Sequence, residues 1–194
     1  HHHDTNHQYD LHLWLNPTQT IAMSRAITQT LQQLDPKNKV LYDQRLDNLI
    51  KTIQQADKDI QAQLANIRQQ AYLVQHDAWH GFEQHYQLNK VAAIEGLSGQ
   101  QAGAASLKQL IQQIKTTHIR CLFNETPVIS GQLRTLQQAT GIKIAQLDPL
   151  GIKLTMPPRI TAYTNTMISD QARLAYIQLL KNAANQFQQC LAEH

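Results

Sequence analysis

The chain has 194 residues, of which 42% are hydrophobic and 16% are charged, and its formal net charge is +3 at pH 7. This length suffices for one large domain or for one and a half small ones, and the hydrophobic content suffices for a real core. No apolar run approaches the roughly 20 residues that span a membrane. No signal-peptide pattern opens the chain, although an export signal removed upstream is compatible with it. The basic residues are scattered without interleaved aromatic residues, which argues against a nucleic-acid partner. The lack of a long apolar run argues against stable membrane insertion.

A polar segment precedes the first predicted helix. Residues 1–8 are rich in histidine and lack periodicity, which predicts a loop. His1 to His3 are either the remnant of a purification tag or the start of a native histidine-rich loop. Asn16 and Pro17 then predict a helix start, because asparagine caps helices and proline suits the first helical position. This helix is expected to run to about Leu34.

The second predicted helix is unusually long. Asp35, as cap, and Pro36 predict its start, and it reaches about Gln70 with one narrow apolar stripe among glutamine, aspartate and lysine. Some thirty residues at 1.5 Å each span roughly 45 Å. A helix of this length with a thin apolar stripe is typical of a strut along the side of a domain.

From residue 71 onward, short apolar runs alternate with helical patterns. Such alternation with short connections predicts a parallel sheet with right-handed crossovers. The fold class is therefore α/β, a long strut helix followed by a parallel four-stranded sheet flanked by helices. The predicted strands are 72–74, 90–94, 119–123 and 142–147, and the predicted helices are 79–86, 105–116, 130–140 and 160–191.

Polar residues follow the carboxyl ends of these strands, where open parallel sheets bind ligands. We expect His76, Glu95, Glu125 and Asp148 to converge there. His12 also precedes a helix start, so His12, His76 and Asp148 form a candidate metal site, since imidazole with carboxylate suits zinc.

Each of these residues has an alternative interpretation. His12 and His76 could be structural histidines, and Asp148, before Pro149, could be a turn residue. Glu125 could start a helix, orient a ligand or bind metal. Asp77 could cap the next helix or hold the His76 ring through a hydrogen bond.

Other histidines are weaker candidates. His80 forms a His-x-x-x-His pair with His76, a spacing that can bind metal on one helix face, but the glutamate of the metalloprotease pattern is missing. His85 and His118 are predicted to be surface residues.

The two cysteines leave two interpretations. Cys121 lies in a predicted buried strand and Cys190 in the last turn of the closing helix. They are either unrelated buried thiols or one disulfide, which would add about 4 kcal/mol in the chain-entropy model. A disulfide would also imply an oxidising compartment.

Three motifs in order give the chain a resemblance to a known family. Residues 9–17 (YDLHLWLNP) are similar to D-x-H-x-W-L-x-P, residues 76–83 (HDAWHGFE) to H-D-A-Y-x-Y-F, and residues 147–151 (LDPLG) match L-D-P-L-G. These are motifs of the zinc-type, ZnuA-like periplasmic solute-binding proteins of ABC transporters. The cysteines fall where zinc-type members carry a disulfide, and a histidine-rich loop typically precedes the first motif.

The resemblance implies two α/β lobes joined by a long rigid helix, with the metal between the lobes. His12 and His76 would be Zn²⁺ ligands, and Asp148 would ligate or lie close by, as the corresponding carboxylate coordinates metal in manganese-type relatives. Residues 1–35 would be the histidine-rich loop and last helix of an otherwise missing N-terminal lobe, which supplies the family's first histidine ligand. Residues 36–70 would be the linking helix, and residues 71–194 the C-terminal lobe.

The function implied is high-affinity Zn²⁺ binding in the periplasm and delivery to a membrane-embedded ABC permease, without catalysis. Two departures stand out. Residues 101–106 lack the usual Glu-Pro-Ser, and His80 replaces a small residue, which suggests a substitute or accessory ligand. The alternatives are a zinc-dependent hydrolase, with Glu125 or Glu95 as general base, and a metal-mediated adhesin.

Overall fold

The computed structural model describes residues 10–95, 104–152, 154 and 167–192. Within them the chain forms an α/β fold in which two helices precede alternating strands and helices, and a long helix follows the last strand. The helices are α1 (Pro17–Leu34), α2 (Lys39–Leu64), α3 (His80–Tyr86), α4 (Ala104–Thr117), α5 (Gly131–Thr140) and α6 (Met167–Leu191). The strands are β1 (Tyr72–His76), β2 (Lys90–Glu95), β3 (Cys121–Asn124) and β4 (Lys143–Gln146).

Helix α1 begins and ends as the sequence predicts. The Asn16 side chain accepts hydrogen bonds from the backbone N–H groups of Thr18 and Gln19, at 2.9 and 3.3 Å. Its Nδ2 atom donates to the carbonyl of Gly81, 3.1 Å away. The cap of α1 therefore also fastens this helix to the first turn of α3.

The second helix is shorter than predicted. Asp35 does not cap it, because its carboxylate accepts from Asn38 Nδ2 and the Tyr42 hydroxyl instead. A 3-10 turn precedes α2, and beyond Leu64 the chain continues through turns with i to i−3 hydrogen bonds that bring Ile67 into the core. The predicted apolar stripe is nevertheless the buried face, which comprises Ile50, Ile53, Ala56, Ile60 and Leu64.

The sheet is parallel, as predicted. Among the described residues its four strands run in the order β2-β1-β3-β4, and every neighbouring pair is parallel. The carboxyl ends of all four strands therefore share one edge. His76 and Glu95 close β1 and β2 and are paired in register, whereas the sequence placed them just beyond the strands.

Both faces of the sheet are covered. Tyr72 and Val74 face a core that includes Phe187 of α6, and Leu73, between them in β1, faces a second core that includes Leu133 of α5. This alternation explains why β1 reads as a continuous apolar run.

A disulfide links Cys121 of β3 to Cys190 of α6, with 6.0 Å between the Cα atoms. Of the two interpretations of the cysteines, the structure therefore confirms the bridge. It fastens the closing helix to the sheet across 69 residues of sequence.

Two sequence predictions fall outside the described residues. They are the histidine-rich loop at residues 1–8 and the start of the closing helix at 160–166. None of the helices in the described part of the chain combines the length and the apolar character needed to cross a membrane.

Candidate metal centre

His12 and His76 meet although 63 residues separate them in the chain. Their ring centroids lie 5.4 Å apart, and the ring planes are nearly perpendicular, at 76°. His12 immediately precedes a 3-10 turn, Leu13–Leu15, whereas His76 is the last residue of β1. Each side chain is about one-fifth exposed, so both rings line a surface that an ion from solvent can reach.

A carboxylate holds one ring nitrogen of each histidine. His12 Nδ1 lies 2.7 Å from Asp10 Oδ1, which also accepts the backbone N–H of His12 at 2.9 Å. His76 Nδ1 lies 3.0 Å from Glu125 Oε1. With the Nδ1 proton donated to the carboxylate, Nε2 of each ring carries the lone pair that a metal requires.

The partner of His76 differs from one of the sequence interpretations. Asp77 neither holds the His76 ring nor caps α3, whose N-cap residue, Trp79, makes no side-chain capping bond. Glu125, which follows β3, holds the ring instead. The two residues meet because β1 and β3 are adjacent and parallel, so that their carboxyl ends lie side by side.

Asp148 lies in a loop that contacts the segment of His12. Trp14 Nε1 donates to the carbonyl of Pro149 at 2.8 Å, so this loop is fastened to the segment that carries His12. Asp148 Oδ1 accepts from the backbone N–H of Leu150 at 3.1 Å, which is the turn role that the sequence left open. Its side chain also borders a cleft of about 430 Å³ against α6.

Helix α6 also contacts the segment that carries His12. The Tyr176 hydroxyl donates to the carbonyl of Trp14 at 2.9 Å and lies 2.9 Å from Thr20 Oγ1. Burial is the main cause that raises the pKa of Tyr176, to about 12. The phenol therefore stays protonated as a donor well beyond neutral pH.

Asp10 and Tyr176 are neighbours of the site that the sequence reading missed. Asp10 stands two residues before His12, inside the first motif, and this spacing was the available signal. No sequence signal points to Tyr176, because 162 residues separate it from Trp14. Of the other expected neighbours, the side chain of Glu95 lies outside the described part of the structure.

The remaining histidines have distinct surroundings. His85 was predicted to be a surface residue, and this prediction is wrong, because its side chain is partly buried with Nε2 only 2.8 Å from Asp57 Oδ1. His118 is exposed, as predicted. His80 is exposed and shares its surroundings with Asp77 and Glu83, whose donor atoms lie within 4.8 Å of one another and of a donor atom of His80.

These features define an α/β lobe with a long side helix and a two-histidine centre supported by carboxylates. The family model described as zinc-uptake complex component A, periplasmic (ZnuA), matches residues 1–190. The chain belongs to this ZnuA family.

Relatives of known description agree with this assignment. The high-affinity zinc uptake system protein ZnuA of Brucella suis biovar 1 (strain 1330) is 26% identical over 186 residues, which are 96% of this chain and 51% of the relative. The chain thus spans about half the length of the curated relatives it matches.

Two solved structures share the fold at 25% sequence identity. A crystal structure of ZnuA superimposes with a TM-score of 0.75 over 94% of this chain and 60% of that one. A zinc-bound deletion mutant of ZnuA superimposes with a TM-score of 0.74 over 95% of this chain and 62% of that one.

Proposed function

We propose that this chain is part of a periplasmic protein that captures Zn²⁺ with high affinity and delivers it to a membrane-embedded ABC permease. The observation that carries the proposal is the meeting of His12 and His76, each with Nδ1 held by a carboxylate. Carboxylate-held imidazoles are the usual arrangement around protein-bound zinc. Membership of a zinc-uptake family supports the same cargo.

In this proposal His12 and His76 bind Zn²⁺ through Nε2, and Asp148 supplies a third donor or lies close to the ion. Two imidazoles with a carboxylate are a donor set suited to zinc, although manganese accepts carboxylates as readily. The fastening of the Asp148 loop to Trp14 supports its place beside the ion, because a donor on a held loop loses little conformational freedom on binding.

The proposed role is binding and release, without chemistry on the metal. A hydrolase would require a general base beside the ion, and Glu125 is one of the two candidates for that base. Its carboxylate is engaged with the ring of His76, which suits an orienting role. The family match, to a component of an uptake complex, supports the same conclusion.

We assign the parts of the chain in the same way. Residues 1–35 would belong to an N-terminal lobe, 36–70 to the linking helix and 71–194 to the C-terminal lobe. Support comes from apolar side chains around the junction of α1 and α2, since Ile27, Leu34 and Val40 are 60%, 78% and 69% exposed. A second lobe packed there would cover them.

The test is a chelator-competition titration with Zn²⁺ on this chain and on a His12→Ala/His76→Ala variant. We expect tight one-to-one binding that the variant loses. Histidines in residues 1–7 are common to both proteins, so any weak binding by that segment cancels in the comparison.

A matched control removes an imidazole elsewhere. His118 is exposed and has a positive φ of 54°, so His118→Asn deletes a ring while keeping a residue that tolerates this backbone conformation. This control should bind Zn²⁺ like the parent. Equal affinity in the parent and the double histidine variant would refute the proposed ligands.

A further inference from the structure

A second set of side chains that could hold a metal ion follows His76 in the chain. Asp77 follows β1, His80 opens α3 and Glu83 lies one turn further along the same helix. Their donor atoms all lie within 4.8 Å of one another. Donors around tetrahedral zinc are about 3.4 Å apart, given bond lengths near 2.1 Å, so modest side-chain rotations would suffice to close this set on an ion.

A lysine already supplies a positive charge to this set. Lys90, the first residue of β2, places Nζ 2.9 Å from Glu83 Oε2, and the same ammonium donates to Asp77 Oδ1. Glu83 is only 4% exposed, and its Oε1 accepts from the Tyr72 hydroxyl at 3.1 Å. The ammonium therefore neutralises a carboxylate that is almost completely removed from water.

The charges in this cluster depend on one another. Burial raises the pKa of Glu83, and Lys90 opposes that effect. Burial lowers the pKa of Lys90, but the attraction of Glu83 and the hydrogen bonds to both carboxylates outweigh it, so that the pKa of Lys90 is raised. A metal ion could enter only by displacing this ammonium, which would leave a partly buried charge without its partners.

We propose that Lys90 is a specificity-determining residue, whose ammonium group occupies the Asp77–His80–Glu83 donor set and so prevents it from binding Zn²⁺. The identity of the cargo rests on the proposed function. Asp77 directly follows His76 in the chain. An ion held by Asp77 would therefore be bound by the same segment that carries one of the proposed ligands.

The first test is Lys90→Met, which keeps an unbranched side chain one atom shorter and removes its charge. Two carboxylates then lack a cation, and Zn²⁺ can supply it. In titration calorimetry we expect one additional equivalent of Zn²⁺ relative to the parent. Lys90→Arg, which retains a cation, should bind the same number of equivalents as the parent.

The additional equivalent must come from the named donors. Lys90→Met/His80→Ala should lose it, whereas Lys90→Met/His12→Ala/His76→Ala should keep it. The second variant separates this inference from the proposed function, since a failure of the main site leaves the additional equivalent unaffected. Far-UV circular dichroism shows whether Lys90→Met is folded. If the folded variant binds no additional equivalent of Zn²⁺, the inference is wrong.

A measurement on the parent protein covers the case in which Lys90→Met does not fold. His80 is exposed, so its ring reacts with diethyl pyrocarbonate, and mass spectrometry can follow that reaction with and without Zn²⁺. We expect a second equivalent of Zn²⁺, added after the proposed main site is filled, to leave the His80 modification rate unchanged. Protection of His80 in the parent protein would show that the set binds metal with Lys90 in place and would overturn the inference.

Discussion

The Nδ1 atom of His76 lies 3.0 Å from Oε1 of Glu125, and this contact joins the carboxyl ends of the adjacent strands β1 and β3. It sets the direction of the His76 ring and leaves Nε2 as the nitrogen for a metal. The other histidine of the centre, His12, has the same kind of partner in Asp10.

Glu125→Gln should weaken Zn²⁺ binding by 10- to 100-fold without altering the fold. The amide keeps the size of the side chain but loses the charge that makes the imidazole a stronger donor, and losses of this size are typical of such partners. Chelator competition measures the affinity. Asp47→Asn, on an exposed position of α2, is the control and should leave the affinity unchanged. An unchanged affinity in Glu125→Gln would show that Glu125 does not support Zn²⁺ binding.

Zn²⁺ binding should weaken as the pH falls from 7.5 to 5, because histidine must lose its proton to bind a metal. With two histidine ligands, the apparent affinity should fall by up to about 100-fold per pH unit at the acid end of this interval. Titrations between pH 7.5 and 5 provide the measurement. A constant affinity over this interval would count against ligation by histidine.

Tyr176→Phe should make the protein lose less stability than the parent protein does when the pH becomes alkaline. The pKa of Tyr176 is raised from 10.0 to about 12, so the folded state keeps the phenolic proton longer than the unfolded chain does. The resulting stability is fully present below pH 10 and is lost as the pH rises through about 12, by roughly 3 kcal/mol in all. Urea unfolding at pH 8 and above pH 10 measures this effect. Between these pH values, the free energy of unfolding should decrease less for Tyr176→Phe than for the parent protein.

Cys121→Ser/Cys190→Ser should lower the free energy of unfolding by about 4 kcal/mol in the chain-entropy model, because the bridge closes a loop of 69 residues. Urea unfolding of the parent protein with and without reductant is the parallel measurement. Reductant should lower the midpoint of the parent and leave that of the variant unchanged. A parent protein that is insensitive to reductant and no more stable than the variant would exclude a stabilising bridge.

Phe187→Ala should destabilise the protein by about 3–5 kcal/mol, as expected for the loss of a buried aromatic ring. The Phe187 ring is fully buried. Its centroid lies 4.5 Å from the ring centroid of Phe123, 5.2 Å from that of Tyr72 and 5.7 Å from that of Phe82. Leu174→Ala is the control on the same helix, because Leu174 is 58% exposed and should change stability by less than about 0.5 kcal/mol. Comparable losses in the two variants would contradict this picture of the core.

Local sequence signals determined much of the fold. Asn16 and Pro17 place the start of α1, and Gly141, with a φ of 72°, ends α5 in the left-handed conformation expected of a C-terminal glycine. Alternation of apolar runs with helical patterns predicts the parallel sheet. These signals are readable because each depends on residues that are close together in the chain.

The tertiary structure decided which side chains contact one another. Glu125 holds His76, Lys90 neutralises Asp77 and Glu83, and Tyr176 supports the segment of His12. The spacing of residues along the chain does not encode these pairs, because strand order and helix packing set the distances between atoms. The sequence by itself determined which residue types stand at the carboxyl ends of the strands, and the packing of the sheet and α6 decided which of them meet.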